Sequence, residues 1–480
     1  MDKSLKNNFL SIFYYSFNFF KEIAFILFFI LLEKKLLGLL LIIISFILIS
    51  LIYILKWKNI NFIIEDNKLK YNCGVFSKKN LVISLDKIAT VDLNQNIILM
   101  IFNLYKLKVD SGSVLSNESE FEIILKKEDA LAFKNMLLTL NNNQNYSTSS
   151  EKSTKAKIKA DSYIYTLSNK NLLLITLTKN YFILAITFSL YCVSVLTEAA
   201  NTFNINPDDI LFDGINKLES FVGSGLGFII IFSLLILVII IVSILINIGL
   251  SYIKYYNFKA YKYNDYINIE YGLINKNRYS LPIKNINAIT YKQNIIKRIF
   301  KLYTLEVTSI GYGDEQKEEA ILYPIGKEDM LNEIVSDLLP SFIIKEEIIS
   351  PPKKSLIRFI FMPTLIYSLF LIIFFIYVET FLILFVPLLF ILIVQYLNYK
   401  TIGICYDDRN LVTCTGSFKR TKSIIPYSKI QSISKSSNFF MRRKNLSHYK
   451  IDFYANIFKS FIFLNNLDDY HYENLSKKLL

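Results

Sequence analysis

Nine cations in three short clusters are the side chains best suited to chemistry in this sequence. They are Lys297, Arg298 and Lys301; Lys419, Arg420 and Lys422; and Arg442, Arg443 and Lys444. Ammonium and guanidinium groups donate several hydrogen bonds and accept none, so clustered they suit phosphate-like anions rather than bond-making chemistry. Two clusters are interleaved with apolar residues, as Ile296-Lys297-Arg298-Ile299-Phe300-Lys301 and Phe440-Met441-Arg442-Arg443-Lys444. A basic, aromatic-bearing stretch beside a bilayer can meet anionic headgroups, with about 1 kcal/mol per cation near the surface. Cations beside apolar segments also arise from membrane topology alone, and that reading stays open here. Catalysis has less to build on. His448 and His471 are the only histidines, and no Ser-His-Asp set, phosphate loop, dinucleotide fingerprint or HExxH is present. Gly311-Tyr312-Gly313-Asp314 lacks the downstream Lys-Ser/Thr of a nucleotide cradle and reads as a hairpin turn. Asp407-Asp408 reads as a turn equivalent to Glu65-Asp66. Cys73, Cys192, Cys405 and Cys414 show no CxxC spacing and read as buried thiols rather than metal ligands. The expectation is a protein with no catalytic residues, cofactor or metal, and with no nucleic-acid partner, since no recognised motif for one occurs.

The clusters are positioned by a repeat. Three copies of one pattern align without a gap for over thirty residues. Gly74, Gly272 and Gly416 open it; Ile88, Ile286 and Ile430 follow; then Leu104, Leu302 and Leu446; then Val109, Val307 and Ile451. Each copy stands behind a pair of apolar segments, in a chain of 480 residues that is 53% hydrophobic. The candidate spans are Phe9–Leu32, Leu36–Leu55, Asn180–Thr197, Phe221–Ile253, Phe359–Val378 and Thr380–Tyr399. Phe9–Leu32 carries Lys21 and Glu22, so an interfacial helix is its alternative reading. The spans pair into hairpins at residues 9–55, 178–253 and 359–399, with an acidic external loop at 198–220. No cleavable signal peptide is evident. The flanks opposite that loop are basic, including Lys56, Lys58, Lys254, Lys353, Lys354, Arg358 and Lys400. Positive flanks stay inside, so the sequence predicts a multi-pass protein of the cell membrane with both termini cytoplasmic.

The soluble copies occupy residues 57–140, 254–340 and 400–480, and 141–170 reads as a flexible Asn/Ser/Thr-rich linker. In the first copy, Asn61–Ile64 and Leu69–Cys73 read as short strands around the turn Glu65–Lys68, period-two alternation marks strands at Asn80–Leu85 and Leu104–Asp110, and Glu120–Leu125 reads as another. Ile88–Leu93 reads as a continuation of the strand before it, broken by Gln95-Asn96. Lys127-Glu128-Asp129 opens a terminal helix whose Phe133, Met136, Leu137 and Leu140 share a face. The fold class expected is α-helical membrane hairpins plus α+β cytosolic modules, each a strongly bent antiparallel sheet with a C-terminal helix. The copies differ in charge. Tyr399–Leu480 holds fourteen Lys and Arg against six Asp and Glu, whereas the other two are nearly balanced.

This series resembles the bacterial pleckstrin-homology-like domain of the YdbS/YdbT type. The resemblance rests on Gly74, Gly272 and Gly416, on Ile83, Leu281 and Ile425, on Gln95-Asn96 and Gln293-Asn294, and on the Lys-Glu-Asp helix starts. The third copy departs from it with Ser437-Asn438 and Asp468-Asp469, which puts shared ligand use in doubt. The resemblance implies PH-like modules and a smaller membrane protein with one such module as partner. A non-enzymatic scaffold for envelope proteins is expected, with anionic lipid headgroups as ligands and a role in envelope maintenance or tolerance of membrane-active agents. A homo-oligomer stays open. The competing reading is a transporter or channel component using the six-helix region. The first module, cation-poor at Ile98–Asn103, is expected to pack on a neighbouring repeat or protein.

Overall fold

The computed structural model describes residues 3–20, 22, 35–65, 68–74, 79–85, 88–110, 121–141, 163–178, 224–309, 320–344, 347–375, 385–453 and 461–479. Asn180–Thr197, the loop 198–220, the Gly311–Asp314 turn, Cys192 and most of the 141–170 linker lie outside them.

In the first module β1 (Lys3–Leu5), β2 (Asn61–Glu65), β3 (Lys68–Cys73) and β4 (Lys79–Ser84) form one antiparallel sheet. β5 (Thr90–Gln95), β6 (Leu104–Asp110) and β7 (Phe121–Lys126) belong to a second. Helix Lys127–Asn141 follows, with Glu128 and Asp129 in its first turn as the dipole favours. Alternation in β6 sends Leu107 and Val109 into a core with Phe62, Leu69, Leu93 and Phe133. Lys106 and Lys108, on the other face, reach Glu122 of the neighbouring strand at 2.8 and 3.7 Å. One expectation is corrected here. Ile88–Leu93 does not continue the preceding strand; the chain leaves β4 and re-enters as β5 in a different sheet.

The second module repeats the order with β8 (Ile164–Thr166), β9 (Lys259–Tyr263), β10 (Tyr266–Tyr271), β11 (Lys276–Pro282), β12 (Ile286–Gln293), β13 (Leu302–Ser309), β14 (Ala320–Lys327) and helix Glu328–Leu338. The third has β15 (Gly403–Tyr406), β16 (Asn410–Thr415), β17 (Arg420–Pro426), β18 (Ile430–Ser436), β19 (Leu446–Phe453), β20 (Phe461–Asp468) and helix His471–Leu479. Reading 141–170 as linker throughout is corrected at its end: Ile164–Thr166 pairs with β9 as a strand, and a helix begins at Asn169. Period-two patterning needs more than three residues to register, so β1 and β8 are invisible to it. Both do the same work, covering the outer edge of the first strand behind an apolar region; in the third module Ile349 does so by a bridge to Ile404.

The modules are joined through their sheets. β5 of the first pairs with β11 of the second, giving a seven-stranded sheet in the order β7-β6-β5-β11-β10-β9-β8. β12 of the second pairs with β17 of the third, giving six strands in the order β14-β13-β12-β17-β16-β15. Side chains reinforce both seams. Asn285 Nδ2 donates to Ala89 O at 3.2 Å, and Lys429 Nζ donates to Lys284 O at 2.6 Å.

The first seam encloses charge. Lys134 is buried, and desolvation pushes its pKa down to about 8 against the opposing pull of Asp92 and Glu270. The unfolded lysine holds its proton to about pH 10.5, so between these values the unfolded chain binds more protons and stability rises with pH. Above about pH 10 the sign reverses, because the tyrosine Tyr261 is raised by burial and stays protonated in the fold. The parent is therefore expected to gain up to about 1.4 kcal/mol per pH unit between pH 8 and 10 relative to Lys134→Met, read from paired melts.

Outside the modules, Leu167–Asn257 forms a separate compact unit. In it helix Asn169–Thr178 packs on helix Ser224–Tyr255, whose buried Ser243, Asn247 and Ser251 fall at four-residue spacing on one face. The first apolar region comprises helix 11–20 and helix Lys35–Lys58; the third comprises helices Leu356–Phe375 and Phe385–Thr401. Among the described residues one helix, Leu40–Lys58, is long and apolar enough to cross a membrane, and Ile240–Tyr255 is a shorter apolar one.

Candidate functional site

Each module builds the same small projection between the first two strands of its second sheet. It is a short helix: Ile97–Ile101, Ile295–Ile299 or Phe439–Arg442. Asparagine starts it every time. Asn96, Asn294 and Asn438 side chains accept from the backbone N–H groups of Leu99, Lys297 and Met441 at 3.0, 2.8 and 3.0 Å. Asn103, Lys301 and Asn445 end it with φ of 54, 54 and 49°, the left-handed conformation that turns the chain into the next strand. The glutamine before the cap completes the device: Gln95 and Gln293 Nε2 donate to Leu104 and Leu302 carbonyls, both at 2.9 Å. What reads as a Gln-Asn break is thus a strand-to-helix lock, and Ser437 removes the glutamine's part of it in the third module.

The lock holds apolar side chains in solvent. Ile101 is 71% exposed, Ile299 72%, Phe300 57%, Phe439 65% and Phe440 62%. Leu99 and Met441, at equivalent positions, are buried and root the helix in its module. The projection lies at the foot of an apolar helix where this is described. In the first module Phe102 stacks on Phe13 of helix 11–20 at 6.2 Å, and Leu99 and Leu104 pack with Tyr14. In the third, Arg358 Nη2, in the first turn of helix Leu356–Phe375, donates to Asn438 Oδ1 at 2.6 Å. The root of the first projection thus packs on helix 11–20 of its own apolar region, rather than on another repeat, while Ile97 and Ile101 stay exposed.

The nine cations divide. Arg442, Arg443 and Lys444 are all exposed on the third projection, with the Arg443 guanidinium 5.5 Å from the Phe439 ring centre. Lys419 is exposed in the turn after Gly416, next to Phe418, which stacks on Phe390 of helix Phe385–Thr401 at 5.5 Å. Lys301 is exposed at the end of its short helix. The other four point inward or along the seam. Lys297 Nζ bonds Thr304 Oγ1 within its own module. Arg298 Nη1 donates to Ser417 O at 3.3 Å, across to the third module. Lys422 pairs with Glu328 at 2.7 Å and lies 5.6 Å over the Tyr291 ring. Arg420 stands beside Cys414 and Glu328; burial raises the Cys414 thiol, with Arg420 and Lys422 opposing, and Lys422 and Arg420 help hold Glu328 below its usual range although desolvation acts the other way. These four join modules or brace their own, a role that residue type alone does not disclose.

Gly74, Gly272 and Gly416 have φ of 112, 111 and 98°, as a turn needing positive φ requires. The histidines are framework. His448 Nδ1 accepts from Asn466 N at 3.3 Å, and His471 is buried against Tyr406 and Tyr470; desolvation lowers both pKa values. Among the described residues no group of three His, Cys, Asp or Glu is placed to hold a metal ion.

Three two-sheet modules with terminal helices, joined edge to edge behind apolar segments, define a tandem array of PH-like domains. The Bacterial PH domain family matches residues 22–140, 219–338 and 360–465, and the chain belongs to that family. It is similar to the UPF0699 transmembrane protein YdbT of Bacillus subtilis (strain 168), with 26% identity over 403 residues, 82% of this chain and 79% of that one. No solved structure matches the chain.

Proposed function

We propose that this is a multi-pass membrane protein whose three cytosolic PH-like modules form a non-enzymatic platform on the bilayer surface. The short projections touch the interface, and the third binds anionic headgroups. One observation carries the reading: the same capped helix exposes large apolar side chains in all three modules, and in two of them it is tied to the foot of an apolar helix. Aromatic and branched side chains held in solvent are costly unless something covers them, and an interface covers them while leaving Arg442, Arg443 and Lys444 among phosphates. The six-span, three-hairpin topology and cytoplasmic termini belong to this proposal, supported by the transmembrane designation of the Bacillus relative and by the basic flanks. A membrane protein with a single PH-like module is the partner proposed for the platform, in envelope maintenance.

Trypsin tests the surface contact because its cleavage sites lie on the projection. The chain in nanodiscs rich in anionic lipid is expected to be cut after Arg442, Arg443 and Lys444 at least about tenfold more slowly than in neutral nanodiscs, given the attraction per cation. Equal rates in both lipids would remove the headgroup contact from the proposal.

A further inference from the structure

The two seams between modules follow one rule, and that rule leaves two strand edges over. In the repeat frame Gln95 and Gln293 are equivalent, and so are Lys276 and Arg420. Gln95 faces Lys276 at the first seam; Gln293 faces Arg420 at the second. The register is therefore the same twice: the first strand of one module's second sheet pairs with the third strand of the next module's first sheet. Applied to three modules, this leaves β4 of the first and β18 of the third as the outer strands of their sheets among the described residues.

Their surfaces match that position. Val82 on β4 is 57% exposed, while its counterparts Ser280 and Ile424 are buried at 1 and 2% by the seams. Most of β18 is exposed, while β12 and β5 are almost wholly buried. Neither edge strand contains proline, and the irregularity in β18 between Ile430 and Ser432 recurs in β12 between Ile286 and Ala288, where the seam forms regardless. The usual devices that blunt an open edge are thus missing from both strands apart from single lysines. Each edge has the shape of half a seam.

We infer that β18 of one chain pairs with β4 of a second copy, antiparallel, in the register of the internal seams. Ile433 then faces Val82, Ser434 faces Leu81, and Lys435 faces Asn80, as Ile289 faces Ile424, Thr290 faces Ser423, and Tyr291 faces Lys422. The contact is head-to-tail, so it propagates the array or closes it into a ring. The occupant is a second copy because this chain supplies both halves and has used the same joint twice.

The test needs no lipid, which separates it from the headgroup contact. Differently tagged full-length chains carrying Val82→Cys and Ile433→Cys are mixed in mild detergent and oxidised. Cross-linked heterodimer is expected at least about tenfold above a mixture of Asn80→Cys and Ile433→Cys, two residues out of register and beyond disulfide reach. Light scattering is expected to show concentration-dependent association, weakened at least about tenfold by Val82→Lys, a change at an exposed site that leaves the fold intact. A monomer at every concentration with no cross-link above the control overturns the inference. So does cross-linking confined within single chains that carry both cysteines, or unaltered association of Val82→Lys.

Discussion

If the third projection binds anionic headgroups as proposed, replacing Arg442, Arg443 and Lys444 together by glutamine is expected to lower the preference for anionic over neutral lipid by roughly two orders of magnitude. Each cation near a charged bilayer contributes about 1 kcal/mol, and three such contributions correspond to a factor of about 150. All three are exposed on one projection and form no ion pair among the described residues, so their removal leaves the module standing. The comparison that isolates the effect is Lys422→Gln. That lysine pairs with Glu328 in the seam, so its loss should lower stability and leave lipid preference nearly unchanged. Competition between lipids for the detergent-solubilised chain, read by native mass spectrometry, measures both. The contribution is electrostatic and at a surface, so it must also shrink with salt.

The second large effect is on folding. Gly272→Ala would place a Cβ 1.8 Å from the Asn275 carbonyl oxygen and 2.9 Å from its carbon, in a backbone conformation with φ of 111°. Backbone atoms cannot swing aside as a side-chain tip can. The loss is expected to exceed about 3 kcal/mol, since strain and overlap act together. Gly416→Ala meets the Lys419 carbonyl at the same 1.8 Å and should match it. Gly249→Ala has nothing within 4 Å and sits in a helix, so it should be neutral or stabilising. Thermal unfolding of the three variants in one detergent gives the ranking.

The glycines are readable from spacing because only one residue type tolerates that φ, and the repeat announces it three times. The strands of the first module are readable for a related reason: alternation such as Leu107 and Val109 against Lys106 and Lys108 is local. The seams are not readable. Pairing of β5 with β11 joins residues far apart in sequence, Gln95 with Lys276, and nothing in either strand names its partner. The same blindness misplaces the cations. Lys422 and Arg442 carry the same charge in the sequence, yet one faces Glu328 across a seam and the other faces solvent. Lys297 shows how small the difference is. It occupies the position of Leu99 and Met441, the residues that root the projection, and so its ammonium turns to Thr304. The Gln-Asn pairs read as a break but not as a cap, because the capping hydrogen bond requires knowing that a helix of one turn follows.

The central claim is that the short helices rest in the bilayer interface, and depth-dependent quenching tests it most directly. The one native tryptophan is removed by Trp57→Phe, a single reporter is introduced by Phe440→Trp, and the chain is reconstituted with phospholipids brominated along the acyl chain. Bilayer contact predicts strong quenching of the introduced indole's fluorescence, greater in anionic than in neutral membranes, and reduced when Arg442, Arg443 and Lys444 are neutralised. Fluorescence as bright in brominated as in ordinary lipid, whatever the headgroup, would contradict the account.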